Sequence, residues 1–272
     1  MDHQEFIAII KQHYALNRRS FIWREEPTPY HVFISEVMLQ QTQTFRVAPK
    51  FVPFVETLPN FSALAQAPFS HILALWKGLG YNSRALRLQQ AAMQIMQQHA
   101  GQLPQDPVLL RQLPGIGAAT ASSIAAFAYQ LPTVFIETNI RTVFIHHFFP
   151  DRLQAGTLVH DNELRPLVAA TLDRHNPRDW YYALMDYGVM LKKSGKNFNA
   201  VSKHYTQQSK FEGSNRQMRG KILQLLLEYG QLTQEQMQEI VGFHDCRVDK
   251  ALSQLLAEQL VLGHESGFCL NR

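Results

Sequence analysis

Apolar residues return every three or four positions through the first two-thirds of the chain: Phe6, Ile9, Ile10 and Tyr14; Phe33, Val37 and Phe45; Ile72, Leu75 and Leu79; Ile124, Phe127 and Ala128; Leu184, Tyr187 and Leu191. That spacing is the period of a helix with one buried face, so the pattern predicts a mostly α protein. Turn signals interrupt the runs at Pro27 to Pro29, Leu58-Pro59-Asn60, Gly78 to Gly80, Gly101 to Pro107, Pro114 to Gly117, Pro150-Asp151 and Asn176-Pro177. The β-like run Thr133 to Ile136 reads as an extended entry to a helix that begins at Thr138 or Asn139. Composition turns polar over Asn197 to Asn215, and a smaller unit begins near Arg216. Its predicted parts are a helix to about Tyr229, a helix after a Thr233 cap with Gln236 in the capping-box position, a helix from about Asp245 to Glu258, and a hairpin across Gly263 to Gly267. Three helices and a hairpin are the parts of a winged helix. Arg247 and Lys250 of the third helix, partly offset by Asp245 and Asp249, would then enter a groove; a protein-contact or packing module uses the same parts.

A chain of 272 residues that is 46% hydrophobic can bury a substantial core as one bilobal domain or two domains. Its apolar runs fall short of the ~20 residues that cross a bilayer, and the start MDHQEFIAIIKQHY lacks the apolar stretch and cleavage site of a secretory signal. Two cysteines, Cys246 and Cys269, point to a reducing compartment and cannot make a four-thiolate metal site. A cytoplasmic protein is expected. A net charge of +4 favours a polyanionic partner. The bias concentrates from Lys192 to Lys221, where eight cations face the single acid Glu212, a stretch suited either to phosphate contacts or to a solvated linker.

One turn stands out. In Leu113-Pro114-Gly115-Ile116-Gly117 the glycines supply positive φ, and a helix of small residues follows at once. A phosphate-cradling P-loop would need Lys and a hydroxyl after the last glycine, whereas Gly117 is followed by Ala118 and Ala119. An ordinary turn between helices is the remaining local reading.

Three stretches taken together resemble the helix-hairpin-helix (HhH-GPD) base-excision DNA glycosylases, and among them the MutY-type adenine glycosylases. They are the run from Pro29 to Gln43, PYHVFISEVMLQQTQ; Leu75 to Ala85, LWKGLGYNSRA; and the Leu113 to Gly117 turn. A further match lies at Met185-Asp186-Tyr187-Gly188, and the likeness covers roughly residues 5 to 191. The resemblance implies a two-lobed helical fold with DNA in the cleft between lobes. Its six-helix lobe would span about 23–133, the second lobe 1–22 plus 134–212, and the winged-helix-like module 213–272. It makes the turn a DNA-binding hairpin in which Leu113, Gly115 and Gly117 bring backbone N–H groups and a helix N-terminus to a phosphate, which reads no sequence.

Glu36 then matches the family's proton donor to the departing base. A glutamate near a helix start ordinarily serves only the helix dipole, but Val32 and Phe33 precede it by four and three residues, and apolar neighbours raise a carboxyl pKa as a general acid requires. Glu137 stands where the family normally has Asp. An anion there would stabilise the cation that develops at C1′ when the N-glycosidic bond breaks, although the longer side chain moves the oxygens; the alternative is a helix N-terminal acid beside a capping Asn139. By the same resemblance Gln40 and Gln41 probe the opposite strand, Leu39 flanks them, and Tyr81 wedges into the stack once a base is flipped out. Arg141 and Lys192 complete the expected DNA contacts.

Three more differences shape the expectation. Lyase-competent relatives carry Lys where this chain has Ala119, so a monofunctional glycosylase is implied. Most relatives close the helical lobe with a four-Cys iron–sulfur cluster, but the corresponding positions are Lys192, Asn199, Ser202 and Gln208, so no cluster and no metal cofactor is expected. Relatives that read 8-oxoguanine carry a larger mixed α/β C-terminal domain than the last sixty residues here. The expected partner is duplex DNA with a mismatch or lesion, bound by a monomer in the cytoplasm at the nucleoid. A DNA-binding protein without catalysis, recognising distorted DNA, is the alternative.

Overall fold

Helices dominate the computed structural model, which describes residues 1–206, 210–242 and 246–271. In chain order they are α1 His3–Asn17, α2 Ile22–Glu25, α3 Pro29–Leu39, α4 Thr44–Thr57, α5 Phe61–Gln66, α6 Phe69–Trp76, α7 Ser83–Gln98, α8 Pro107–Leu110 and α9 Ala118–Tyr129. There follow α10 Thr138–Phe148, α11 Pro150–Ala155, α12 Asp161–Thr171, α13 Pro177–Lys193, α14 Asn215–Tyr229, α15 Gln234–Val241 and α16 Cys246–Ala257. Two compact units divide the chain: Met1–Glu36, Gln105–Gln112 and Ile116–Gln207 form one, and Val37–Pro104, Leu113–Gly115 and Gln208–Arg272 the other. The first lies around α10 and α13, whose apolar faces meet α1 through Phe6, Phe144 and Trp180, all buried. Residues 131–137 lead into α10 without helix or strand, turning tightly where Thr133 N donates to Leu131 O at 2.8 Å and extended at Glu137, and Tyr181 fixes the segment by donating its hydroxyl to Thr133 O at 2.7 Å.

In the second unit α4 to α7 enclose Phe51, Phe54, Phe69 and Trp76, none exposed. Phe45, which the periodicity places on a buried face, is 72% exposed, because α4 starts only at Thr44 and the register of α3 does not carry across the break. The C-terminal part is a winged helix in its element order. After α14, β1 Gln231–Leu232 joins β2 Val261–His264 and β3 Gly267–Leu270 in an antiparallel sheet of order β1-β3-β2. Thr233 and Gln236 form the expected capping box of α15. Asp245 lies outside the described residues, and β1 is an addition that the sequence pattern does not carry.

The polar stretch from Asn197 is not simply a linker. A 3₁₀ turn, Phe198–Val201, docks on α10 with Phe198, Asn199, Val201 and Ser202 buried. Asn199 Nδ2 donates to Thr142 Oγ1 at 2.6 Å and to Thr138 O at 3.3 Å, and Val159 N donates to Val201 O at 2.7 Å. A single amide therefore satisfies a backbone carbonyl and a hydroxyl of α10, which anchors a segment whose composition alone would leave it solvated.

Candidate active site and nucleic-acid contacts

Glu36 sits in the last turn of α3 rather than near its start, so the negative end of the helix dipole faces its carboxylate. Val32 and Phe33 are buried beside it. Burial pushes its pKa up to about 7; a hydrogen bond from Ser123 pulls the other way, the negative charge of Glu137 adds to the rise, and Arg24 opposes it. The Ser123 contact fixes more than a direction. Ser123 Oγ lies on Glu36 Oε2 and also 3.0 Å from Thr120 O, yet one hydroxyl has one hydrogen to give. Both contacts are satisfied when Ser123 donates to Thr120 and a protonated Glu36 donates to Ser123.

Glu137 is itself the N-cap of α10; Asn139 is not. Its Oε1 accepts from Asn139 N at 2.8 Å and Ile140 N at 3.1 Å, while Oε2 accepts from Asn139 Nδ2 at 3.3 Å. The extra methylene folds back so that a glutamate does what the shorter Asp does at most N-caps. Lys192 Nζ donates to Asn139 Oδ1 at 2.7 Å, so a chain of hydrogen bonds runs from Lys192 through Asn139 to Glu137.

What holds this carboxylate in place is the segment Met185 to Gly188 of α13. A Cβ at Gly188 would lie 2.7 Å from Asn139 O, so only glycine lets α13 approach the first turn of α10 this closely. Asp186, 1% exposed in its side chain, accepts from Nη1 and Nη2 of Arg24 at 2.9 and 3.0 Å and from Arg19 Nε at 2.6 Å. A buried carboxylate with two arginines is a satisfied network, and it balances the positive charge of Arg24 near Glu36. Sequence reasoning missed Ser123 and the partners of Asp186, and it gave Asn139 a capping role where the structure has it between Lys192 and Glu137. Only the motif containing Asp186 and Gly188 carried a signal.

The expected DNA contacts divide by environment. Gln41 is exposed at φ +53 and Gln40 donates its side-chain amide to Gly115 O at 3.1 Å. Leu39 and Tyr81 are half-buried, and Tyr81 holds a left-handed φ of +49 that a non-glycine residue rarely adopts. Arg84 organises both segments: Nη1 donates to Val37 O, Met38 O and Gln40 O at 2.8, 2.8 and 2.7 Å, and Nη2 to Gly80 O at 3.0 Å. Leu113 is a core residue, 2% exposed. Gly115 has the positive φ that the turn needs, +80, but Gly117 at φ −84 and ψ 174 is the extended N-cap of α9 and makes no side-chain cap. The first N–H groups of α9 therefore lack a capping side chain, which is the arrangement that accepts an anion. Ala119 is exposed in that first turn. Arg141 is spent elsewhere: its guanidinium forms a two-pronged ion pair with Asp161 at 2.7 and 2.8 Å and keeps only 12% side-chain exposure.

The positions that correspond to a cluster's thiolates do not fit iron. Asn199 uses its amide on α10, Lys192 bonds Asn139, Ser202 lies buried beside Val159, and none offers a thiolate; Gln208 lies outside the described residues. Among the described residues no group of three His, Cys, Asp or Glu side chains could hold a metal ion. No helix among them is long and apolar enough to cross a membrane.

Comparison with known proteins gives the family and the fold. Residues 34–163 match the HhH-GPD superfamily, described as base excision DNA repair proteins. The adenine DNA glycosylase of Mycolicibacterium smegmatis is 31% identical over 90% of this chain and 88% of its own length. That of Buchnera aphidicola subsp. Baizongia pistaciae is 30% identical over 68% of this chain, but the match spans only 52% of its length, about half. Among solved structures, a thermostable thymine-DNA glycosylase superposes with a TM-score of 0.60 at 22% identity, covering 69% of this chain and 86% of its own. Endonuclease III in a non-covalent DNA complex gives 0.57 at 15% identity with the same coverage. These two show the shared fold. The chain belongs to the HhH-GPD superfamily of base excision DNA repair proteins, in its adenine DNA glycosylase (MutY-like) branch.

Proposed function

We propose that this protein is a monofunctional DNA glycosylase that hydrolyses the N-glycosidic bond of a mispaired adenine in duplex DNA. The observation that carries the reading is Glu36: a carboxyl whose pKa is pushed up to about 7, hydrogen-bonded by Ser123 and raised further by the charge of Glu137. A group protonated near neutrality can hand its proton to the leaving base, whereas an ordinary surface glutamate cannot. Glu137, pinned by two backbone N–H groups at the start of α10, supplies an anion for the electron-poor sugar and helps orient the attacking water. The uncapped start of α9 holds a backbone phosphate; Gln40, Gln41 and Tyr81 meet the duplex. The adenine DNA glycosylase names of the relatives support the choice of base. With Ala119 in place of a lysine, no amine stands in that turn to form a Schiff base, and the product is an intact abasic site. The donor set at Lys192, Asn199 and Ser202 supports a lobe that folds without iron, with Asn199 tying the segment to α10.

Duplexes carrying A opposite 8-oxoguanine, A opposite G, hypoxanthine, uracil, or T opposite G test this directly. Incubation followed by alkali should yield strand breaks at A-containing mispairs, no breaks before alkali, and none with Glu36→Gln. Tight binding to these duplexes without breaks under any condition would instead identify a DNA-binding protein that has lost catalysis.

A further inference from the structure

In the second unit, α14 of the winged-helix module faces the turn at Gly78 to Tyr81 across a cleft of about 720 Å³. Its walls carry Arg46, Lys77, Arg216, Arg219 and Lys221 against one carboxylate, Glu258, which Arg219 engages at 2.7 and 2.5 Å. The cleft is thus strongly positive. It is also aromatic: Arg216 donates to the Tyr81 hydroxyl at 2.5 Å, and its guanidinium carbon lies 5.2 Å from the Tyr81 ring centroid and 5.4 Å from that of Phe211. Phe211 is 57% exposed in an otherwise polar stretch. Gly220 lies within α14, where glycine costs about 1 kcal/mol relative to alanine, and apart from its chain neighbours and the backbone of its own helix no atom lies within 4 Å of where its Cβ would stand. The helix gives up stability there for space on the cleft wall rather than for packing.

The size falls in the range of about 300–1,000 Å³ that single small ligands occupy. Flat rings flanking a guanidinium suit a nucleobase face, and the surrounding cations suit its phosphates. We propose that this cleft is a second nucleic-acid site, which holds one unstacked nucleotide of DNA with its flanking phosphates; the proposal rests on the reading that the protein acts on DNA. The winged-helix module then contacts DNA through α14 and not through its third helix. On α16 the carboxylate of Asp249 sits beside Lys250 and is held by the amides of Gln234 and Gln238 at 2.7 and 3.1 Å, so that face carries mixed charge and is tied to α15.

The test is fluorescence anisotropy of the full chain with labelled oligothymidylate and with a duplex containing an abasic-site analogue. Phe211→Ala should weaken oligothymidylate binding about tenfold, the value of one lost base stack. Lys221→Ala should reduce the magnitude of the salt slope by about 0.7 on the single strand, as expected for one lost phosphate contact. Gly220→Leu, which fills the space with a better helix former, should weaken binding at least tenfold while its Tm stays equal to or above wild type; a merely structural glycine would not behave so. Lys250→Ala should bind as wild type does. Wild-type affinity in both Phe211→Ala and Gly220→Leu overturns the cleft, and so does a wild-type protein that binds neither probe. Excision of adenine by those variants at saturating enzyme separates the two readings: intact excision with unchanged binding sinks the cleft alone. Weakened variant binding by a protein that excises nothing leaves the cleft standing and sinks catalysis.

Discussion

Glu36→Gln tests the raised carboxyl without any assay of activity. The unperturbed carboxyl value of 4.5 is pushed up to about 7 in the folded protein. Between those values the folded state keeps a proton that the unfolded chain releases, so its contribution to stability is full below about pH 4.5 and is lost as pH rises through about 7. At 1.36 kcal/mol per unit the loss is at most about 3 kcal/mol, a ceiling because Glu36 keeps some solvent contact that screens its charge. Glutamine stays neutral throughout, and its side-chain amide can donate to the Ser123 oxygen as the protonated carboxyl does. The variant should therefore match wild type at about pH 4 and exceed it at about pH 8.5 by up to about 3 kcal/mol, or 2–4 °C of Tm for each kcal/mol. Circular dichroism melts of both proteins at the two pH values decide the matter. A Tm difference that does not change with pH, or one that favours wild type at the alkaline pH, refutes the burial of an unfavourable charge at Glu36.

Other substitutions probe the scaffold around the two carboxylates. Asp186→Asn leaves Arg24 buried with its charge unbalanced; it should cost about 3–5 kcal/mol in chemical denaturation, and the freed positive charge should move the alkaline fall of the excision rate to lower pH. Gly188→Ala puts a Cβ 2.7 Å from Asn139 O, so it should lower Tm and reduce excision together by displacing the start of α10; unchanged melting and rate would contradict that close approach. Glu137→Asp should keep the cap and hold single-turnover excision within about tenfold of wild type, whereas Glu137→Ala should lose at least about a hundredfold.

Much of this was legible in the chain because the relevant signals are local. Helical spacing, the Thr233-Gln236 capping box and the glycine-flanked hairpin each depend on residues within a few positions of one another, and each is present. Val32 and Phe33 likewise announce the apolar setting of Glu36. What escaped depends on distance along the chain. Ser123 sits in a run of small residues that reads only as close helix packing, and it meets Glu36 from 87 positions away. Arg216 reaches the Tyr81 hydroxyl across 135 positions, and no periodicity encodes that pairing. Phe198, Asn199 and Ser202 lie in a polar stretch, where three or four docking residues are too few to register in composition. Arg141 looked available for phosphate because its partner Asp161 belongs to another helix.

Single-turnover excision of adenine as a function of pH, with wild type and Glu36→Gln at saturating enzyme, bears most directly on the proton donor. Wild-type rates should fall as pH rises through about 7, following the titration of Glu36, and the variant should be slower by about a hundredfold or more with DNA affinity retained. Excision by Glu36→Gln at the wild-type rate and with the wild-type pH profile would show that the proton comes from elsewhere.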